Sequence, residues 1–95
     1  MNRQIINKLK ELKPILQEKY GIEEFALFGS MSRDDYHAQS DIDIAILKSS
    51  KHDFFLRLEA IEFLKKQMNR EVDMGYFDSM KTFIKKRIKK DFIYV

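Results

Sequence analysis

Apolar positions along the chain recur with two different periods, and the switches between them outline the elements. From Asn2 to Tyr20, Ile5, Leu9, Leu12 and Leu16 form one stripe at helical spacing, and Gly21 suits a left-handed cap. Pro14 lacks an N–H and crowds the preceding turn, which predicts a kink or a break near Lys13. A strand follows over about Glu23 to Phe28, whose unbroken F-A-L-F predicts burial on both faces and a central place in a sheet. Met31 to Tyr36 can form a short helix capped by Ser30 or Ser32, and His37 to Gln39 reads as a turn.

Between Ser40 and Leu47 the period changes to two: Ile42, Ile44 and Ile46 alternate with Asp41, Asp43 and Ala45. Helical spacing returns from Asp53 to Met68, with Phe54, Leu58, Ile61, Leu64 and Met68 on one stripe. Phe55, Ala60 and Phe63 widen that stripe, which predicts deep burial, ahead of the alternative of a contact surface for a partner. Glu71 to Phe77 reads as a third strand, with Val72, Met74 and Tyr76 opposite Asp73, Gly75 and Phe77. Asp78-Ser79 is the expected cap of a last helix, Met80 to Lys90, turning Met80, Phe83, Ile84 and Ile88 inward. Phe92 to Val95 suits a short edge strand or a docking strip. Helices alternating with strands predict an α/β sandwich of helices on a small sheet, in a single domain over residues 1–95.

Composition narrows the function. At 95 residues and 44% hydrophobic positions there is room for one core and none for a second substrate-binding domain. Any acceptor is therefore small, or is a partner protein that brings its own surface. The absence of cysteine excludes disulfides and thiolate metal sites and suits a reducing cytoplasm. No secretory leader or membrane-spanning run is visible, so no membrane role is expected. The net charge of +3 is unevenly placed: Met1 to Asp78 holds 12 basic and 14 acidic residues, Ser79 to Val95 holds 6 and 1. The last helix carries that excess without interleaved aromatics for base stacking, so direct binding of nucleic acid is not expected.

The candidate chemistry lies between Phe28 and Leu47. Asp41 and Asp43 share one strand face, where their mutual repulsion calls for a divalent cation such as Mg²⁺. Just upstream, Gly29-Ser30 ends an apolar strand: glycine lets backbone approach a ligand, serine offers a hydroxyl, and a helix start favours an anion. Arg33 follows one helical turn later. An anion cradle beside a cation site points to a metal-bound nucleoside triphosphate. A calcium loop fits worse, because Ile44, Ala45 and Ile46 stand where oxygen ligands and a glycine are needed.

Gly29-Ser30, ten residues, then Asp41-x-Asp43 resembles the signature of the polymerase-β-like nucleotidyltransferase superfamily, and the short length resembles its minimal branch, the minimal nucleotidyltransferases (MNT). Arg33 and Ser40 also agree with the common pattern, whereas Asp34 stands where the family often has glycine. The resemblance implies a mixed sheet in an α/β (α+β) nucleotidyltransferase core, with Gly29, Ser30, Arg33 and Ser40 on the nucleotide. It further implies ATP as substrate and the antitoxin role of HEPN/MNT pairs, in which an adenylyl group is attached to a tyrosine of a helical HEPN-type ribonuclease toxin. Two-metal transfer with two Mg²⁺ ions needs a ligand beside the attacking hydroxyl as well. Asp73, in the middle of the third strand, is the candidate third carboxylate, and Glu71 is the fallback. A different class of reading is an antitoxin that silences its partner by binding alone. An antibiotic nucleotidyltransferase would need the acceptor domain that the length excludes.

Overall fold

The computed structural model describes residues 3–29 and 41–95. Helix α1 (Arg3–Tyr20) turns Ile5, Ile6, Leu9, Leu12 and Leu16 into the core, the stripe that its spacing predicts. It continues through Pro14 without the expected break. Pro14 and Lys10 both lie on the exposed side, so the Lys10 carbonyl that loses its N–H partner can turn to water instead. Gly21, at φ +68°, ends the helix.

Strands β1 (Ile22–Phe28), β2 (Ile42–Ser49), β3 (Val72–Tyr76) and β4 (Ile93–Tyr94) form one sheet in the order β3-β2-β1-β4. β1 pairs antiparallel with both β2 and β4, while β2 and β3 are parallel and joined by helix α2 (Phe54–Met68). The sheet is therefore mixed, and β1 has the interior place that F-A-L-F predicts. The short edge strand expected at Phe92 to Val95 is β4, and Val95 N–H continues the pairing to the Phe25 carbonyl at 3.2 Å.

The two faces of the sheet have different work. Phe25, Leu27, Ile42, Ile44, Ile46, Val72 and Met74 alternate onto one face and are buried beneath α1 and α2. Each large side chain buried there contributes roughly 1.5–3 kcal/mol. The other face carries Ala26, Phe28, Asp43, Ala45, Asp73 and Gly75, aligned by register. β3 and β4 lie on opposite edges, so the chain between them must cross the sheet, and it crosses this second face. Met80 Cε is 3.6 Å from where a Gly75 side chain would begin, and the rings of Phe77 and Phe92 meet at 5.4 Å.

Two expectations about helices are corrected. The last helix does not begin at Met80: Phe77–Ser79 forms a 3-10 turn, closed by Met80 N–H on the Phe77 carbonyl, and α3 spans Thr82–Lys89 with no side-chain cap. The turn uses the residues that would otherwise have capped the helix. α3 buries none of its residues, leaving Phe83 68% and Ile84 37% exposed. α2 starts as expected, with Asp53 Oδ1 accepting from the N–H groups of Phe55 and Leu56. Of its widened stripe, however, only Ala60 and Leu64 are fully buried, while Phe54, Phe55 and Leu58 are exposed. Its main contacts among the described residues are with α1 and β3, where Ala60 and Leu64 are buried, and its first turn stays exposed. Among the described residues, no helix is long and apolar enough to cross a membrane.

Candidate active site

Register, more than any local motif, assembles the site. Phe28 pairs with Asp43 and Asp43 pairs with Asp73, so these side chains stand in one row across β1, β2 and β3. Neighbouring strands lie about 4.8 Å apart, which brings the two carboxylates within reach of one ligand. Phe92 continues the row at the far edge, its ring 6.3 Å from that of Phe28. Asp41 stands exposed just ahead of β2, two residues from Asp43.

The electrostatics follow from this crowding. Asp43 is partly buried, and its pKa is raised above the ordinary carboxylate value by burial first, then by the charges of Asp73 and Asp41. Asp73 is exposed, and its Oδ1 accepts the N–H of Met74 at 3.0 Å. Among the described residues no lysine or arginine forms an ion pair with Asp73. Glu71, the fallback, is held elsewhere: its carboxylate lies 3.7 Å from Lys65 on α2.

Gly29 closes the site from β1. Its φ is +74°, and a Cβ built there would stand 2.5 Å from Asp43 Oδ2. Glycine is thus required both by backbone conformation and by the carboxylate packed against it. Ser30, Arg33 and Ser40 lie outside the described residues, as do Asp34, His37 and the short helix expected from Met31 to Tyr36.

The donor set suits a hard cation that shares its coordination with substrate. Among the described residues no three acidic or histidine side chains already converge as a complete cage. Mg²⁺ is commonly held by one or two carboxylates together with substrate phosphates, and Asp43 here feels the charges of both Asp73 and Asp41 while its carboxylate packs against Gly29. Sequence reasoning missed Arg57, which donates from Nη1 to the Met74 carbonyl at 2.5 Å and lies over the Phe54 ring, 5.3 Å from its centre. It thereby fixes the residue whose N–H holds Asp73. No periodicity signals such a contact, because it depends on how α2 lies along β3.

The model of the nucleotidyltransferase domain matches residues 9–95. The chain belongs to this family. This nucleotidyltransferase is 38% identical over 90 residues to a provisionally named protein adenylyltransferase of Methanocaldococcus jannaschii, covering 92% of this chain and 90% of that protein. It is similar to a crystal structure of a toxin-antitoxin with AMP-PNP, at 32% identity and a TM-score of 0.66, over 82% of this chain and 61% of that one. It is also similar to a structure of tri-AMPylated Shewanella oneidensis HEPN toxin in complex with MNT antitoxin, at 26% identity and a TM-score of 0.72, over 99% of this chain and 71% of that one. The resemblance to the minimal branch is thus borne out, as is the expected fold of helices on a mixed sheet.

Proposed function

We propose that this nucleotidyltransferase moves AMP from ATP, held with Mg²⁺, to a tyrosine hydroxyl of a cognate helical HEPN-type toxin in the cytoplasm, and so acts as its antitoxin. The observation that carries the reading is the pairing of Asp43 with Asp73 across β2 and β3, with Gly29 packed on Asp43. It supplies two acidic groups side by side on neighbouring strands, with a residue that carries no side chain against one of them. The likeness to toxin-antitoxin structures and to a named protein adenylyltransferase supports the choice of acceptor.

In this reading Asp41 and Asp43 hold the ions that carry the triphosphate, and Asp73 adds a ligand on the side of the incoming hydroxyl. Divalent ions, when bound, lower the pKa of the attacking hydroxyl and neutralise charge on the leaving oxygen. Gly29 leaves room for the phosphates, and Ser30, Arg33 and Ser40 bind their oxygens. The tyrosine oxygen forms a bond to the α-phosphorus as the bond to the β-phosphate oxygen breaks. Pyrophosphate leaves, and the hydroxyl proton passes by way of the carboxylate side of the site to solvent.

Incubating the chain with α-labelled ATP, Mg²⁺ and the purified toxin encoded beside it tests this directly. Label on the toxin, lost when its acceptor tyrosine is changed to phenylalanine, is the expected result. A tight complex that inhibits the toxin with no label transferred would replace this reading with neutralisation by contact.

A further inference from the structure

β3 lies at one edge of the sheet, so its outward backbone groups have no neighbouring strand to pair with. Ile42 N–H bonds the Glu71 carbonyl at 2.9 Å. In a parallel ladder such bonds recur at every second residue, so the N–H and carbonyl of Asp73 face β2 and those of Met74 face out. Beside this stretch of β3 is a cavity of about 490 Å³, lined by Phe54, Arg57, Gly75, Tyr76 and Met80 among others. Both outward groups of Met74 are nevertheless used, and by side chains. The N–H donates to Asp73 Oδ1 at 3.0 Å, and the carbonyl accepts from Arg57 Nη1 at 2.5 Å. Arg57 is itself held in place. It stands near the start of α2, which Asp53 caps, and its guanidinium lies over the ring of exposed Phe54, 5.3 Å from the ring centre.

We infer that Arg57 is a positioning residue for the transfer: by clamping the outer edge of β3 it fixes the Asp73 carboxylate in the orientation that the acceptor side of the site needs. The inference rests on the function proposed above and adds a residue that acts through Asp73. The bond from Met74 N–H restrains the rotation of the Asp73 side chain through Oδ1 and leaves Oδ2 without a hydrogen bond among the described residues. That bond is only as steady as the peptide that supplies it. A strand paired on one side alone opens more readily, and a misplacement of about 1 Å in a reacting site can cost about a hundredfold in rate. The guanidinium is a planar fork resting on a ring face, so it sets a direction as well as a charge. α2 thus does at one peptide what a further strand would do along the whole edge.

The test uses the full chain and the variants Arg57→Met, Arg57→Lys and Phe54→Leu. It reads amide exchange at Met74 without metal or toxin, transfer kcat, and affinity for ATP. In Arg57→Met, exchange at Met74 should quicken about tenfold or more and kcat should fall about tenfold or more, with ATP affinity within about twofold of wild type because Asp41, Asp43 and Gly29 are untouched. The melting temperature should fall by no more than about 8 °C, as for one lost hydrogen bond in a domain of this size, so all three quantities are read well below it. Phe54→Leu should move exchange and kcat the same way by less. In Arg57→Lys the two should move together, to whatever extent the ammonium reaches the carbonyl. Quicker exchange with kcat unchanged makes the clamp a structural bond alone and overturns the inference, leaving the proposed transfer intact. A fall in kcat with Met74 exchange unchanged also overturns it, as does a kcat restored by lysine while Met74 still exchanges fast, since Arg57 then acts by its charge or on the substrate. No label transferred by the wild-type chain removes the catalytic reading itself, and this inference with it.

Discussion

At the scale of single residues, the site is built from groups that are poor choices for stability. Gly29 holds a left-handed backbone against a carboxylate. A β-branched side chain there is strained at φ +74° and meets Asp43, so Gly29→Val should weaken ATP binding by more than about tenfold; calorimetry showing unchanged affinity would remove Gly29 from the cradle. Asp43 is raised in pKa by burial and by its two acidic neighbours. Its protonated form is thus the one that folding favours, so stability from this group is full below the ordinary carboxylate pKa and is lost as pH rises through the raised value. Asp43→Asn should accordingly raise the melting temperature in EDTA at pH 7, with the gain shrinking toward pH 4. The same change should cut transfer by about a hundredfold or more, as for loss of a group stabilising developing charge. Mg²⁺ should stabilise the wild type and have little effect on the variant. Asp73→Asn should lower kcat steeply while leaving ATP affinity nearly constant, as for an interaction made mainly in the transition state; a variant that keeps its rate but melts earlier would show Asp73 to be structural. The shared strand face of Asp43 and the special backbone at Gly29 were legible in the sequence, because strand alternation fixes a face and glycine marks an unusual φ. The electrostatic order was not, since the pairing of Asp43 with Asp73 joins residues thirty positions apart.

At the scale of elements, the ends of α2 were easier to read than its faces. Asp53 caps the helix through two backbone N–H groups, and Asn69, at φ 53°, closes it with its N–H on the Lys65 carbonyl. Asp53→Ala should cost about 1 kcal/mol, seen as a melting point lower by about 4–8 °C in a domain of this size. These are local bonds between residues close in sequence, and the sequence displays them. Which apolar side chains of α2 and α3 are covered is decided by the neighbouring layers instead. Phe54, Phe55 and Leu58 belong to the same widened stripe as Leu64, yet they remain exposed. Phe83 and Ile84 fit a helical stripe equally well, on a helix only eight residues long that buries none of its residues. Pro14 shows the reverse case, a residue that predicts interruption on a helix face where water can replace the missing bond.

At the scale of the whole molecule, the mixed sheet places Phe28, Asp43 and Asp73 on the face that the long helices do not cover. The alternation of Ile42, Ile44 and Ile46 foretold two faces, but only the parallel crossover through α2 brings β3 beside β2 and Asp73 beside Asp43. That adjacency is a local frustration: two like charges in register, which sliding one strand by a residue would relieve. The slide would also expose Val72 and Met74 and send the carboxylate into the core, forfeiting roughly 1.5–3 kcal/mol for each apolar side chain exposed. The greasy side of β3 therefore acts as a ratchet for the acidic side. Register is decided entirely on one surface of these two strands, which leaves the opposite surface free to be tuned for chemistry without renegotiating the fold.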